Sequence, residues 1–251
     1  MIGLIAAEIT KTFKRRTFWV LTAVLALLTA FLAGIFFFLP RVVDDGFPTI
    51  AKPEIYIFGA AQVLGQTWFP LILSAMALAG ELATSAWATA LTRNSRRGQH
   101  LVARLITSTI SAWLAMIFAI ALFSVAAYFF ATGSGAPTVE EWLGVAWKAL
   151  LVQFTWVGLG LAFSAWLRSV GPAIGAAIAF SFIEGLLLLW SGWRPVSLSL
   201  ATSAILGELD AGGFGPIFGE LPAFRSALFT ALAWAVGAAL LAWAGLRFRD
   251  A

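Results

Sequence analysis

The chain has no cysteine and a single histidine, His100. Disulfides and thiolate chemistry are therefore excluded. One histidine is too few for a histidine-based metal site or a triad, and no metal cluster is expected. Charge is scarce as well, at 11% of residues against about 25% in a soluble domain. What fills the space is apolar: 61% of the 251 residues are hydrophobic, and the mean hydropathy is +0.93. A soluble fold of this length has no interior large enough to hide so much apolar side chain, so composition predicts a polytopic membrane protein. The net charge of +4 does not argue for nucleic acid, because the basic residues cluster at predicted membrane edges.

Six apolar segments approach the ~20 residues that a bilayer requires. They are 17–39, 57–80, 105–131, 143–167, 170–190 and 224–246. The first is too long for the apolar core of a cleaved signal and lacks a small-x-small site after it, so it reads as a retained helix. Residues 2–16 precede it. Ile2, Ile5, Ile9 and Phe13 recur at helical spacing, with Glu8, Lys11, Lys14 and Arg15 opposite. That pattern predicts an amphipathic helix lying in an anionic membrane surface. Pro70 predicts a kink in the second span. Only Arg168 and Ser169 separate the fourth and fifth spans, which must form an antiparallel hairpin, and Pro172 suits the first turn of the fifth.

Charge orients the chain. With both termini in the cytoplasm, Lys11, Lys14, Arg15, Arg16, Arg93, Arg96, Arg97, Arg104, Arg168, Arg247 and Arg249 lie inside, eleven basic residues in all. Arg41, Lys52, Lys148, Arg194 and Arg225 remain on the outer side. This satisfies the positive-inside rule. The outer segment 191–222 is the longest extramembrane piece. Ser197–Leu209 within it is expected to form a short helix resting on the outer surface, followed by a Gly/Pro-rich loop. That loop is no phosphate cradle, since no strand precedes it and no Gly-Lys-Ser/Thr ends it.

The membrane interior holds few polar residues. Gln62 and Gln66 lie one turn apart in the second span, Lys148 and Gln153 are in the fourth, and Glu184 is in the fifth. A carboxylate in a span costs about 2.5 kcal/mol or more and so faces a bundle interior or a cavity. Counted from the outer ends of their spans, Lys148 and Glu184 fall at comparable depth, and one reading pairs them or has them share a hydrated cavity. The plainer reading has Glu184 anchor helix packing or cap a local bend, while Lys148 snorkels outward. The glutamines line a substrate path or bond across a helix interface. Gly171 and Gly175 form a small-xxx-small face suited to close helix contact, within the chain or to a second copy. No pattern of catalytic residues stands out.

The longest polar interruption in the first half is Glu81–Arg104, with Arg93, Arg96, Arg97 and Arg104 against one acid, Glu81. Its first half, to Leu91, lacks Pro and Gly and can form a short helix; Thr92–Gly98 is turn-like. Any cytoplasmic loop collects arginines, but a basic helix between two spans also has the shape of a lever for a soluble partner.

In this layout the chain resembles the permease subunits of ABC transporters of the type-2 exporter class, particularly the small six-helix bacterial ones. Glu81, Leu91, Thr92, Arg93, Ser95, Arg96, Leu101 and Arg104 can be laid on that family's hinge pattern. Ser85 and Ala86 stand where Gly-Thr is usual, and Asn94 replaces a proline. Glu184 and Arg194-Pro195 resemble the family's fifth-span Glu and outer Leu-Pro. The resemblance implies an all-α membrane protein of the bacterial inner membrane, with six transmembrane helices, an N-terminal interfacial helix and a cytoplasmic coupling helix between spans two and three. It implies a dimeric core, made with a second copy or a related permease, and separate ATPase subunits that bind ATP and Mg. Coupling would then fall to Glu81, Ser85, Leu91, Arg93, Ser95, Arg96 and Arg97. The chain itself would carry no cofactor and would not be an enzyme. Two other classes are weighed against this. One is the six-helix substrate-binding subunit of an importer, which usually has longer outer loops. The other is an intramembrane enzyme, which the lack of paired acids disfavours.

Overall fold

The computed structural model describes residues 2–42, 52–84, 87, 97–130, 135–206 and 221–248. Among these, every regular element is a helix. In chain order they are α1 (Ile2–Lys14), α2 (Arg16–Val42), α3 (Lys52–Leu64), α4 (Trp68–Ala83), α5 (Arg97–Phe130), α6 (Val139–Leu167), α7 (Val170–Leu187), α8 (Leu198–Leu206) and α9 (Phe224–Phe248), with a single 3₁₀ turn at Arg194–Val196. Six stretches are long and apolar enough to span a membrane: α2, α3 with α4, α5, α6, α7 and α9. The chain is therefore an all-α, multi-pass membrane protein.

Helix α6 is the axis of the bundle. It packs on α4 along one side and on α9 along another. Its start is fixed by a capping box: the Thr138 hydroxyl accepts from the Glu141 N–H at 3.2 Å, and the Glu141 carboxylate accepts from the Thr138 N–H at 2.6 Å. Its end is fixed by Arg168, which is left-handed at φ 52° and donates its N–H to the Ser164 carbonyl. Ser169 is extended, and the chain then turns back as α7. Phe180 of α7 stacks against both Trp156 and Phe163 of α6. The expected hairpin is thus present, with Pro172 in the first turn of α7.

Lipid tails are as apolar as leucine, so helix contact in a membrane rests on close packing of small residues. Gly160 shows this. A Cβ there would lie 2.1 Å from Ser74 Oγ and 2.3 Å from the Leu71 carbonyl, so α4 and α6 touch backbone to backbone. The Ser164 hydroxyl, one turn on, donates to the Ala75 carbonyl at 2.7 Å.

The second span is broken rather than bent. Helix α3 stops at Leu64 and α4 starts at Trp68. Pro70 is the cause, acting at a distance of four residues. Its ring clashes with the carbonyl of Gln66 and it has no N–H to offer that carbonyl. The Gln66 carbonyl instead accepts from the Phe69 N–H at 3.1 Å, and Gly65 and Thr67 make tight turn bonds around it.

Two other expectations are corrected, and a third gains a detail. On α1 the apolar Ile2 is exposed, while Glu8, Lys11 and Arg15 of the opposite side pair with Glu81 and Arg104 of the bundle. The Thr92–Gly98 turn ends early: α5 is already helical at Arg97, so Arg97–Arg104 is its first two turns and not a surface link. Finally, the short helix of the outer segment does not rest on a surface. Leu198, Leu200, Ala201, Thr202, Ala204 and Ile205 of α8 are all buried, and the Trp156 indole N–H, deep in α6, donates to Thr202 Oγ1 at 3.0 Å. Helix α8 dips between α6 and α9.

Candidate functional site

Both chain ends meet the same face of the bundle. Lys11 and Arg15 reach the end of α4. The Arg97 guanidinium, at the start of α5, donates to the Leu246 carbonyl near the end of α9 at 3.0 Å. The end of α4 and the start of α5 lie at this face, here called the near face.

Glu81 sits there in the last turn of α4, only 4% exposed. A carboxylate at a helix C-terminus faces the negative end of the macrodipole, and burial adds a desolvation penalty. Three cations offset both. The Lys11 ammonium and an Arg104 guanidinium N–H donate to the two carboxylate oxygens. Arg15 Nη2 donates to Oε1 at 2.8 Å, while its Nη1 donates to the Ala77 carbonyl at 3.2 Å. Arg104, itself 2% exposed, also pairs with Glu8 at 2.8 Å. Glu8 and Lys11 lie 3.9 Å apart on one turn of α1. Two acids and three bases thus tie α1, α4 and α5 together.

Of the residues expected to couple to a partner, Glu81 belongs to this cluster. Arg97 lies beside it, bonded to α9. Ser85, Leu91, Arg93, Ser95 and Arg96 lie outside the described residues. The sequence reading missed Glu8, Lys11, Arg15 and Arg104 as members. A usable signal existed: Glu8 is the lone acid among the bases of residues 2–16, as Glu81 is among those of 81–104.

A second polar group lies within the bundle. Gln153, Gly160 and Ser164 share one stripe of α6, at spacings of seven and four. Gly160 and Ser164 meet α4 at Leu71 and Ala75. Two turns further up the same stripe, Gln153 falls level with the break at Gly65–Thr67. Both amide ends of Gln153 and both of Gln66 are buried without a hydrogen-bond partner. Gln62 is partly exposed, on the last turns of α3.

Glu184 reaches the same level from α7. The Trp156–Phe180 contact sets the antiparallel register, so Glu184 lies opposite Val152–Gln153. It is 1% exposed. Its carboxylate accepts from the Ser197 hydroxyl at 2.8 Å, the Ser199 N–H at 2.8 Å and the Ser199 hydroxyl. Ser197 Oγ in turn accepts from the Leu200 N–H at 3.1 Å. Glu184 and Ser197 therefore cap the N-terminus of α8 from two sides, where a negative charge is favoured. The expected equality of depth with Lys148 does not hold. Helix α7 ends at Leu187, far short of the start of α6, which puts Glu184 roughly 7 Å deeper than Lys148. Lys148 instead lines a cavity at the far end of α6, with Glu140 and Glu141.

Among the described residues no group of three or more His, Asp or Glu side chains is placed to hold a metal. The fold and these sites define a class: a helical membrane protein with six candidate spans and a buried ion cluster that joins α1, α4 and α5. No family model matches the chain, nor does any curated protein sequence.

Proposed function

We propose that the chain is the membrane-spanning permease subunit of an ATP-driven exporter of the ABC type. Both termini and the near face are cytoplasmic, in the inner membrane of a bacterium. Separate ATPase subunits receive the segment between α4 and α5 and hydrolyse ATP. A second copy, or a related permease, completes the translocation path. The chain itself transmits force and performs no chemistry.

The Glu81 cluster carries this reading. A lever is useful only if its base is stiff and connected. Here the two helices that flank the polar segment are bolted to each other through Glu81 and Arg104 and to α1 through Lys11, Arg15 and Glu8. A push on residues 84–96 is then shared by three helices instead of bending one. The eleven basic residues assigned to this side favour a cytoplasmic position for it. The polar interior level at Gln66 and Gln153, beside a broken span, suits a bundle that changes shape during a cycle.

The test is purification of the chain with its neighbouring gene products, followed by ATPase and transport assays. An ATPase subunit is expected to copurify. Reversing charge at Arg93, Arg96 and Arg97 is expected to uncouple hydrolysis from transport. If no ATPase copurifies and the reversed variant transports normally, the proposal fails.

A further inference from the structure

The break in the second span leaves polar groups over. The Gly65 N–H still donates to Ala61, but Gln66 donates to Val63, Thr67 to Gly65 and Phe69 to Gln66. The carbonyls of Gln62 and Leu64 receive none of these N–H groups. Irregular backbone at membrane depth is tolerated where protein or a polar site surrounds it, and broken spans commonly build the ligand sites of membrane carriers.

Two side chains add to this set. Gln66 lies in the break itself. Gln153 is fully buried on the stripe of α6 that faces α4. Gly160 meets Leu71 on that stripe, so Gln153, about 10 Å further up α6, comes level with the break. Among the described residues neither amide bonds to the other or to any third group, at its oxygen or at its nitrogen. Two unpartnered amides are held at a cost in stability, and a ligand that completes them recovers it.

The inventory of groups selects the ligand. The two amides offer N–H donors and C=O acceptors, and the carbonyls of Gln62 and Leu64 add acceptors. None of them is charged. Glu184 reaches this level from α7, but its carboxylate is already engaged by Ser197 and Ser199 at the N-terminus of α8. An ion would therefore enter without a free counter-charge, against the full cost of a charge inside a membrane. A neutral group with donor and acceptor side by side meets no such cost. A carboxamide is that group, and it pairs with a glutamine amide through two hydrogen bonds. Val63, Leu64, Phe69, Val152 and Trp156 are the buried apolar neighbours along these helices, so the rest of the ligand is apolar. Gly65 is exposed and carries no side chain, which leaves the break open on its outer side.

We propose that the break and Gln153 form a binding site for the neutral amide of an apolar, membrane-partitioned compound, a peptide unit with blocked ends being the simplest case. That such a compound is what the permease carries rests on the transport reading. The binding itself does not, and it is measured on the chain alone.

The test uses the full chain in detergent and equilibrium dialysis against radiolabelled acetyl-Leu-Leu-Leu-amide, with protein-free micelles as the blank. Acetyl-Leu-Leu-Leu with a free carboxylate and Leu-Leu-Leu-amide with a free ammonium supply the same bulk with one charge. The wild type is expected to bind the blocked peptide about tenfold more tightly than either charged form. Gln153→Leu and Gln66→Leu are each expected to weaken binding of the blocked peptide by about tenfold, the loss of one hydrogen-bonded pair. Their melting temperatures without peptide are expected to equal or exceed that of the wild type, which separates a lost contact from a lost fold. No binding of the blocked peptide above the micelle blank, tighter binding of a charged form, or unchanged binding in both glutamine variants would each overturn the proposal. Failure of an ATPase subunit to copurify would instead count against the transport reading and leave this site standing.

Discussion

Glu81 and Arg104 lie 23 residues apart in the chain and form a buried ion pair where α4 ends and α5 begins. Neither charge has water to fall back on. Removing Glu81 leaves Arg104 buried with only Glu8 to offset it and strips Lys11 and Arg15 of their shared acceptor, a loss of up to about 3–5 kcal/mol. Glu81→Ala should cost that much in an unfolding titration in detergent. Lys11→Ala should cost about 1 kcal/mol or less, because the lysine side chain is 41% exposed and its pair is screened. Equal costs for the two variants would show that Glu81 is not the centre of the cluster.

Gln153 should behave in the opposite way. Its amide is buried with neither end bonded, and such a group carries a desolvation penalty of about 1–3 kcal/mol. Gln153→Leu keeps most of the volume and removes that penalty, so thermal stability should hold or rise. If the glutamine serves transport, activity falls while stability does not. A clear loss of stability in Gln153→Leu would mean that the amide is bonded after all.

Much of the architecture was legible because hydropathy and spanning length leave little choice. The α6–α7 hairpin followed from a two-residue link, and the disturbance in the second span followed from Pro70. Its placement was less obvious, since a proline acts on the carbonyl four residues before it, here Gln66. What composition could not show was which polar faces are used within the protein. Helix α1 has the pattern of a surface helix, yet Glu8 and Lys11 turn inward, because Arg104 and Glu81 offer them partners that only the fold brings near. The moderate amphipathicity of Ser197–Leu209 suggests a superficial helix for α8. It is buried because α7 stops at Leu187 and leaves room above it, a length that hydropathy through Trp190 concealed.

That room makes α8 dependent on its cap. Glu184 and the serines hold its N-terminus inside the bundle. Ser199→Ala removes a hydroxyl donor and should cost about 1 kcal/mol, the usual value of one cap contact. Glu184→Leu removes the acceptor for both serines and should free α8. With no native cysteine in the chain, a Thr202→Cys probe reports this directly. It should resist a water-soluble thiol reagent in the parent and react in the Glu184→Leu background. Equal reactivity in both would mean that Trp156 and packing hold α8 without the carboxylate.

Gly171 and Gly175 bear on the two uses expected of a small-residue face. Among the described residues a Cβ at either position would meet nothing within 4 Å, so neither glycine serves a contact with them. Helix α7 instead packs on α4 through Ala173, beside Ala75 and Ala79. It turns Gly171, Gly175 and the exposed Ile178 and Phe182 outward. If a second copy of the chain completes the path, this face lets two backbones approach closely. Gly175→Cys should then form a disulfide-linked dimer on mild oxidation in native membranes. Gly175→Ile should fold normally, since no neighbour lies in its way, but it should shift the protein toward monomer in detergent by size-exclusion chromatography. A Gly175→Cys variant that stays monomeric under oxidation, together with an unaltered elution profile for Gly175→Ile, would place the contact between copies elsewhere on the bundle.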